Sequence, residues 1–164
     1  MKFNYKEIII QFMKIYFDTG IIYPRFECQV RNQTMPKVSK FLYNIKERHE
    51  YFVSNLTKAE VFRRLHNDLG VDSKDCYALW ESFRKSMNVT EIFIEEEEEN
   101  IDFEQIAKMV SERPAPKGII INIIHLLVSK KNEIVVLTSD KPLKERFQVY
   151  YTNVMTYDEL RKFS

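Results

Sequence analysis

The chain has 164 residues, a formal net charge of +1, 45% hydrophobic residues and only three glycines. This length and composition are typical of one packed globular domain and exclude a low-complexity or disordered chain. The near-neutral charge excludes a global positive field that would draw the protein onto nucleic acid. The two cysteines exclude a disulfide framework, which favours a cytoplasmic location.

Residues 1–12 are predicted to be an extension outside the core fold, and residues 13–164 to form a single domain. Three charged residues, Lys6, Glu7 and Lys14, interrupt the apolar stretches near the start of the sequence. No apolar run reaches the roughly 20 residues that cross a bilayer. We therefore expect neither a signal peptide nor a membrane-spanning helix.

Hydrophobic periodicity predicts strands that alternate with helices along the chain. Short apolar runs are typical of buried strands, and apolar residues spaced by three and four are typical of helices. The first half is predicted to contain a strand over 14–17, loop and short helix from 19 to 36, a helix over 35–50, a strand over 51–54, and helices over 57–70 and 72–87. The second half is predicted to contain a strand over 90–94, a solvated acidic loop over 95–99, helices over 101–112 and 118–132, strands over 133–137 and 148–151, and a helix from 157.

The alternation of these elements predicts the fold class. Strands separated by helices, with connections too long for hairpins, indicate a parallel sheet that is covered on both faces. We therefore predict an α/β fold with three layers, α/β/α, around a central, mostly parallel sheet of four or five strands. In such a sheet the carboxyl ends of the strands share one edge with the first turns of the following helices, and ligands bind there.

Four polar residues end or interrupt apolar elements at comparable places. Asp18 and Asp140 follow predicted strands, Glu60 lies in the first turn of the helix after the second strand, and Asn122 lies inside an apolar helix. Each has a purely structural explanation. Asp18 would be a turn or cap residue and Asp140 a turn residue, Glu60 would complete a capping box opened by Thr57, and Asn122 would be hydrogen-bonded in the core.

These explanations do not account for several acids at one edge of the sheet. Two carboxylates about 4 Å apart repel by roughly 4 kcal/mol at an effective dielectric constant near 20, so a cluster is stable only if it is protonated or bridged by a cation. Carboxylate oxygens suit Mg²⁺ or Mn²⁺. The sequence lacks the glycine-rich phosphate loop and the serine-hydrolase and zinc-protease motifs that would indicate other chemistry.

The order and spacing of these residues resemble the PIN domain, the small α/β nuclease fold of VapC-type toxins and ribosomal RNA processing enzymes, over residues 13–163. The family opens with a strand that ends in Asp-Thr or Asp-Ser, matched here by Asp18-Thr19. It has a Glu early in the helix after the second strand, matched by Glu60. Its Asp-x-x-His helix, about eighteen residues before a strand ending in Thr-x-Asp, is matched by residues 122–125 and 138–140.

Two positions depart from the family pattern. Asn122 stands where the family has Asp, and Gly20 stands where Asn or Ser is common. Asn offers a carbonyl oxygen to a metal but brings no negative charge and cannot act as a base, so metal affinity is expected to be lower, above all for a second metal. His125, one helical turn beyond Asn122, is expected to be a buried core histidine.

The resemblance implies a Mg²⁺- or Mn²⁺-dependent endoribonuclease that hydrolyses RNA phosphodiester bonds. The implied metal ligands are Asp18, Glu60, Asn122 and Asp140, of which the three acids are catalytic. The residues that would orient these ligands by hydrogen bonds are Thr19, Thr138 and Ser139. The residues that would hold the RNA backbone are Arg25, Arg31 and Lys37.

The resemblance also implies a homodimer and, for the toxin of a toxin–antitoxin pair, an antitoxin protein as partner. A first alternative is a PIN-like module that has lost catalysis and serves as an RNA-binding or protein-interaction scaffold, which Asn122 favours. A second is a phosphoacceptor receiver with Asp18 as its target. The second fits poorly because such sites need an upstream acidic pair and a buried lysine after a later strand.

Overall fold

A computed structural model describes residues 12–100, 102, 104, 107, 108, 111 and 119–163 of the chain. The strands are β1 (Lys14–Phe17), β2 (Glu50–Ser54), β3 (Val89–Ile92), β4 (Val135–Thr138) and β5 (Val154–Thr156). The α-helices are α1 (Thr19–Val30), α2 (Lys37–Ile45), α3 (Asn55–Leu69), α4 (Ser73–Met87), α5 (Ile119–Lys131), α6 (Lys141–Phe147) and α7 (Tyr157–Phe163). Short 3₁₀ segments cover Lys46–Arg48 and Ile94–Asn100.

The five strands form one sheet in the order β3-β2-β1-β4-β5, and every neighbouring pair is parallel. Because parallel crossovers are right-handed, α1 to α4 lie on one face and α5 and α6 lie on the other. The three-layer α/β/α prediction is confirmed. The chain leaves β1 toward β2 on one side and returns to β4 on the other, so a crevice opens at the carboxyl ends of β1 and β4.

Apolar side chains pack against both faces of the sheet. The larger cluster joins α1 to α4 to the sheet, and its largest fully buried side chains include Trp80, Phe17, Phe26 and Phe83. The second cluster joins α5 and α6 to β4 and β5, and it is built on Ile123, Leu126, Val136, Phe147 and Val154. Successive strand residues point to opposite faces. Accordingly, Val136 belongs to one cluster and Leu137 to the other.

Strand β3 carries a buried charge, which sequence analysis did not identify. Glu91 accepts a hydrogen bond from the Trp80 indole at 3.2 Å, and its carboxylate lies 3.7 Å from Lys58 and 3.5 Å from Arg84. Its side chain is only 2% exposed. The two cations compensate the charge that burial would otherwise penalise, so this cluster ties α3 and α4 to the edge strand.

The region after β1 differs from the prediction. Thr19–Val30 form a continuous 12-residue helix with Pro24 inside it, where loop and short helix were expected. Proline removes a backbone donor and normally breaks a helix. Here the helix buries four large side chains against the sheet, and this burial offsets the lost hydrogen bond: Ile21, Ile22, Tyr23 and Phe26.

The C-terminal prediction is wrong in one strand and one helix. Gln148–Tyr151 is not a strand, because the N–H groups of Gln148 and Tyr150 donate to carbonyls at the end of α6, each at 2.9 Å. Helix α6 itself was not predicted, although it buries Leu143 and Phe147. The last strand is β5, which begins at Val154.

Three other boundaries move. The helix predicted over 35–50 ends at Ile45, and a 3₁₀ turn follows it. The acidic run predicted as a loop lies within the 3₁₀ segment Ile94–Asn100, where Asn55 donates to Glu95 at 2.6 Å. Strand β4 begins at Val135, because Glu133 adopts a left-handed φ of 56° after α5.

Two predictions fall on residues that the structure does not describe. All but one residue of the predicted extension at 1–12, and most of the helix predicted over 101–112, lie outside the described residues. Within the part of the chain that is described, no helix has the length and hydropathy needed to cross a membrane.

Candidate functional site

Asp18 lies in the crevice between the carboxyl ends of β1 and β4. Its backbone N–H donates to Leu137 O at 3.0 Å, which extends the β1–β4 pairing by one residue and fixes its position. It occupies the N-cap position of α1, yet its carboxylate makes no capping hydrogen bond to the N–H groups beyond Thr19, the first residue of the helix. Instead, Oδ2 accepts a hydrogen bond from the Thr138 hydroxyl at 2.9 Å. The structural explanation of Asp18 as a helix cap is therefore wrong.

Glu60 faces the same crevice from α3. The cap of this helix is Ser54, whose hydroxyl accepts from the N–H of Thr57 at 3.1 Å, so Thr57 is the third helical residue and opens no capping box. The carboxylate of Glu60 accepts a hydrogen bond from the hydroxyl of Thr19, in the first turn of α1. The capping-box explanation is wrong, and a hydrogen bond from Thr19 holds Glu60 instead.

Asp140 follows β4 and caps α6. Its Oδ1 accepts from the N–H of Leu143 at 3.0 Å, and its own N–H donates to the Thr138 hydroxyl at 3.1 Å. Thr138 therefore links Asp140 to Asp18 through one oxygen atom. Asp140 is therefore a helix cap where a turn residue was the structural explanation, and the same geometry places it beside Asp18.

The charges of Glu60 and Asp140 act on Asp18. The pKa of Asp18 is raised from 3.8 to about 6 by burial first and then by the nearby carboxylates of Glu60 and Asp140, against hydrogen bonds from Thr138 and from the Thr19 backbone that lower it. Asp18, Glu60 and Asp140 thus form one electrostatically coupled cluster, which we call the acidic crevice. Glu60 and Asp140 are thus close enough to Asp18 for their charges to act on it at this edge of the sheet.

Gly20 allows the loop after β4 to approach α1. A Cβ atom at Gly20 would lie 2.6 Å from Ser139 Oγ, and 3.8 Å from Asp18 Oδ2. Any larger residue would therefore force Ser139 to move. The Gly20 departure is thus matched by the position of Ser139, whose hydroxyl lies near the acidic crevice.

Asn122 lies in the first turns of α5. This helix leads into the amino end of β4, so its N-terminal turns lie at the same edge as the acidic crevice. The side chain of Asn122 is half-buried, and among the described residues it makes no hydrogen bond. Asn122 therefore lies at the same end of the sheet as Asp18, Glu60 and Asp140, but among the described residues it makes no hydrogen bond to any of them.

A buried polar network lies next to the acidic crevice. The Tyr16 hydroxyl donates to Ser54 Oγ at 2.7 Å and lies 3.0 Å from Thr57 Oγ1, and His125 Nε2 lies 3.5 Å from Ser54 Oγ. Burial lowers the pKa of His125 from 6.5 to about 3, so this core histidine is neutral. Burial, and then the charges of Asp18 and Glu60, raise the pKa of Tyr16 above its ordinary value. The network fixes the start of α3, and its only sequence signal is the Ser-x-x-Thr spacing.

The basic residues predicted to hold RNA do not contact the acidic crevice. Arg25 turns toward the end of α4 and donates to Ser86 Oγ at 3.0 Å and Met87 Sδ at 3.4 Å. Arg31 pairs with Glu27 at 3.2 Å, and at about 1.5 Å rise per residue it lies about 20 Å along α1 from Asp18. Lys37 is exposed at the start of α2. Their predicted role stays a prediction.

The donor atoms of the acidic crevice suit a hard divalent cation, but they do not form a closed cage. Among the described residues, no three His, Cys, Asp or Glu side chains are arranged so that together they could hold a metal ion. One oxygen of Glu60 is engaged with Thr19, and one oxygen of Asp140 caps α6. Mg²⁺ usually keeps several waters and takes only one or two protein carboxylates. Asp18 with either neighbour meets that requirement.

Comparisons with known proteins identify no relative. No protein-family model matches the chain, and no curated protein matches it significantly. The functional argument therefore depends on the fold and on the geometry of the acidic crevice.

Proposed function

We propose that the chain is a PIN-like endoribonuclease that uses Mg²⁺ or Mn²⁺ to hydrolyse RNA phosphodiester bonds. The observation that supports this most strongly is the position of Asp18 at the carboxyl end of β1, where the strand order reverses and where Thr138 links it to Asp140. Burial and the charges of Glu60 and Asp140 raise the pKa of Asp18 there. Clustered carboxylates that repel one another bind a cation favourably. A divalent cation can polarise a phosphoryl oxygen and activate water, which is the chemistry that hydrolysis of a phosphodiester needs.

Each residue of the acidic crevice would have its own role in metal binding or in positioning. Asp18, with Glu60 or Asp140 directly or through water, would hold the divalent ion. The ion, when bound, neutralises charge on the phosphate and lowers the pKa of the attacking water. The hydroxyls of Thr138 and Thr19 hold the carboxylates of Asp18 and Glu60 in position. Water adds to phosphorus, the bond to the leaving oxygen breaks, and that oxygen takes up a proton.

Substitution of Asp18 tests this proposal. Asp18→Asn keeps the shape and the Thr138 hydrogen bond but removes the charge, so we expect loss of RNA cleavage in Mg²⁺ or Mn²⁺. Asp75→Asn is the matched control, because Asp75 is an exposed acid in the first turn of α4 and lies outside the acidic crevice. Wild-type cleavage by Asp18→Asn, or equal loss in both variants, would refute the proposal.

The alternative function, an RNA-binding or protein-interaction scaffold without catalysis, is favoured by Asn122 and by the incomplete cage. Titration of Mn²⁺ with thermal unfolding separates the two, because a ligand that binds only the native state raises its stability. A scaffold would show no response to Mn²⁺ while it shifts RNA in a gel. A nuclease would respond, and Asn122→Asp would strengthen the response by adding a fourth carboxylate at this edge.

The proposed partners follow from the same interpretation. RNA is the substrate, and a second copy of the chain in a homodimer and an antitoxin protein are the further partners proposed for a toxin of this kind. The proposed location is the cytoplasm, where two unpaired cysteines remain reduced, as Cys28 and Cys76 are here.

A further inference from the structure

Arg64 lies beside the acidic crevice in the groove between α1 and α3. Both helices follow parallel strands, so both begin at the edge of the crevice and run away from it side by side. Thr19, in the first turn of α1, contacts Glu60, in the second turn of α3. One turn further along each helix, the guanidinium carbon of Arg64 lies 3.6 Å from the centre of the Tyr23 ring. Arg64 is thus the cation one helical turn, about 5.4 Å of rise, beyond Glu60.

The stacking fixes the guanidinium without using its hydrogen-bond donors. Tyr23 is only 3% exposed, so the ring beneath Arg64 is immobile. The N–H groups of a stacked guanidinium point outward in its own plane. Within the described residues the one ion pair of Arg64 joins Nε to Asp68 Oδ2 at 3.8 Å, which exceeds hydrogen-bond length, and both side chains are well exposed, at 39% and 54%.

Two other cations on these helices, Arg25 and Lys58, are already engaged. Arg25 donates to the end of α4, as described above. Lys58 lies 5.1 Å from the centre of the Tyr77 ring and 3.7 Å from the buried Glu91. Arg64 therefore differs from them in combining a fixed position, a solvent-facing fork of donors and closeness to the acidic crevice.

We propose that Arg64 binds a phosphate of the RNA strand next to the phosphodiester that is cleaved. This inference rests on the proposed function. A crevice of three carboxylates repels the RNA backbone, and a guanidinium at its rim offsets that repulsion and binds phosphate oxygens with two parallel hydrogen bonds. Arg64 thus sets where the strand lies relative to Asp18.

The test compares Arg64→Gln with Arg63→Gln in the Asp18→Asn background, which prevents turnover. Arg63 is the adjacent, exposed residue of α3, so both variants lose the same charge. Binding of a single-stranded RNA oligonucleotide is followed by fluorescence anisotropy over a range of KCl concentrations. Loss of one phosphate contact should weaken binding about tenfold at low salt. It should also make the negative slope of the logarithm of the binding constant against the logarithm of salt concentration shallower by about 0.7. Arg63→Gln should stay within about twofold, with an unchanged slope.

Two further measurements separate phosphate binding from a structural role. In the active protein, Arg64→Gln should raise KM and leave kcat nearly unchanged, because the contact is present in substrate and transition state alike. Arg64→Lys should recover the salt slope and part of the affinity. An unchanged slope in Arg64→Gln, or equal effects of both glutamine variants, would overturn the inference while leaving the proposed function intact. If the wild-type chain neither binds nor cleaves RNA, both are overturned.

Discussion

Removing the charge of Asp18 should stabilise the metal-free protein. The pKa of Asp18 in the folded chain is about 6 against an ordinary 3.8, and each pKa unit corresponds to about 1.4 kcal/mol. The full shift of about two units would make the ionised carboxylate cost about 3 kcal/mol. Because the side chain is partly exposed and solvent screens it, we expect Asp18→Asn to raise the free energy of unfolding by about 1–2 kcal/mol at pH 7.5.

The sign of the pH dependence follows from proton binding. Between pH 4 and 6 the folded protein binds this proton more tightly than the unfolded chain, so the contribution of Asp18 to stability falls as pH rises. Urea unfolding with EDTA should therefore show a stability gain for Asp18→Asn above pH 6 and no gain below pH 4. Adding Mn²⁺ at pH 7.5 should stabilise the wild type and leave the variant unchanged. A variant less stable than wild type at pH 7.5 without metal would refute this reasoning.

Three further predictions concern other parts of the fold. The lowered pKa of His125, about 3, predicts that wild-type stability falls as pH drops from 6.5 toward 3, and His125→Gln should flatten this part of a urea-unfolding series. Glu91→Gln should lower the free energy of unfolding by about 2 kcal/mol, because it leaves the two flanking cations without their buried partner, and a loss below about 0.5 would contradict this. Gly20→Ala should raise stability by about 0.5–1 kcal/mol when combined with Ser139→Ala, because alanine is the better helix former and Ser139 Cβ is 4.0 Å away; with Ser139 present the gain should be smaller in this double-mutant cycle, because the Ser139 hydroxyl must leave its 2.6 Å contact. Additive effects in that double-mutant cycle would show that the contact is relieved elsewhere.

Sequence periodicity predicted the strands that are buried along most of their length and the helices that bury one regular apolar face. Strands β1 and β2 are apolar runs with clear ends, and the apolar residues of α3 and α4 recur at helical spacing. The sequence did not predict α1, because Pro24 is a local helix breaker and only packing on the sheet offsets it. It misplaced β5, because Gln148–Tyr151 has strand-like residues that instead close the end of α6.

The site was predictable at the level of which acids meet, and not at the level of how they are held. A parallel sheet brings the ends of β1 and β4 together whatever the side chains do, so Asp18 and Asp140 follow from topology. The bridging role of Thr138 depends on side-chain rotamers. The inward turn of Arg25 and the stacking of Arg64 on Tyr23 depend on how α1 packs against α3 and α4.

The three acids differ in what the fold gains from them, and this difference supports a functional interpretation. Asp140 caps α6, so part of its presence is explained by stability. Asp18 occupies a cap position without capping, and its charge is disfavoured by burial and by its neighbours. Glu60 was predicted to take part in capping α3, but the residue that caps this helix is Ser54. A carboxylate whose charge is disfavoured where it lies, as that of Asp18 is, is characteristic of a functional site, and a cation beside it would convert the repulsion from Glu60 and Asp140 into binding.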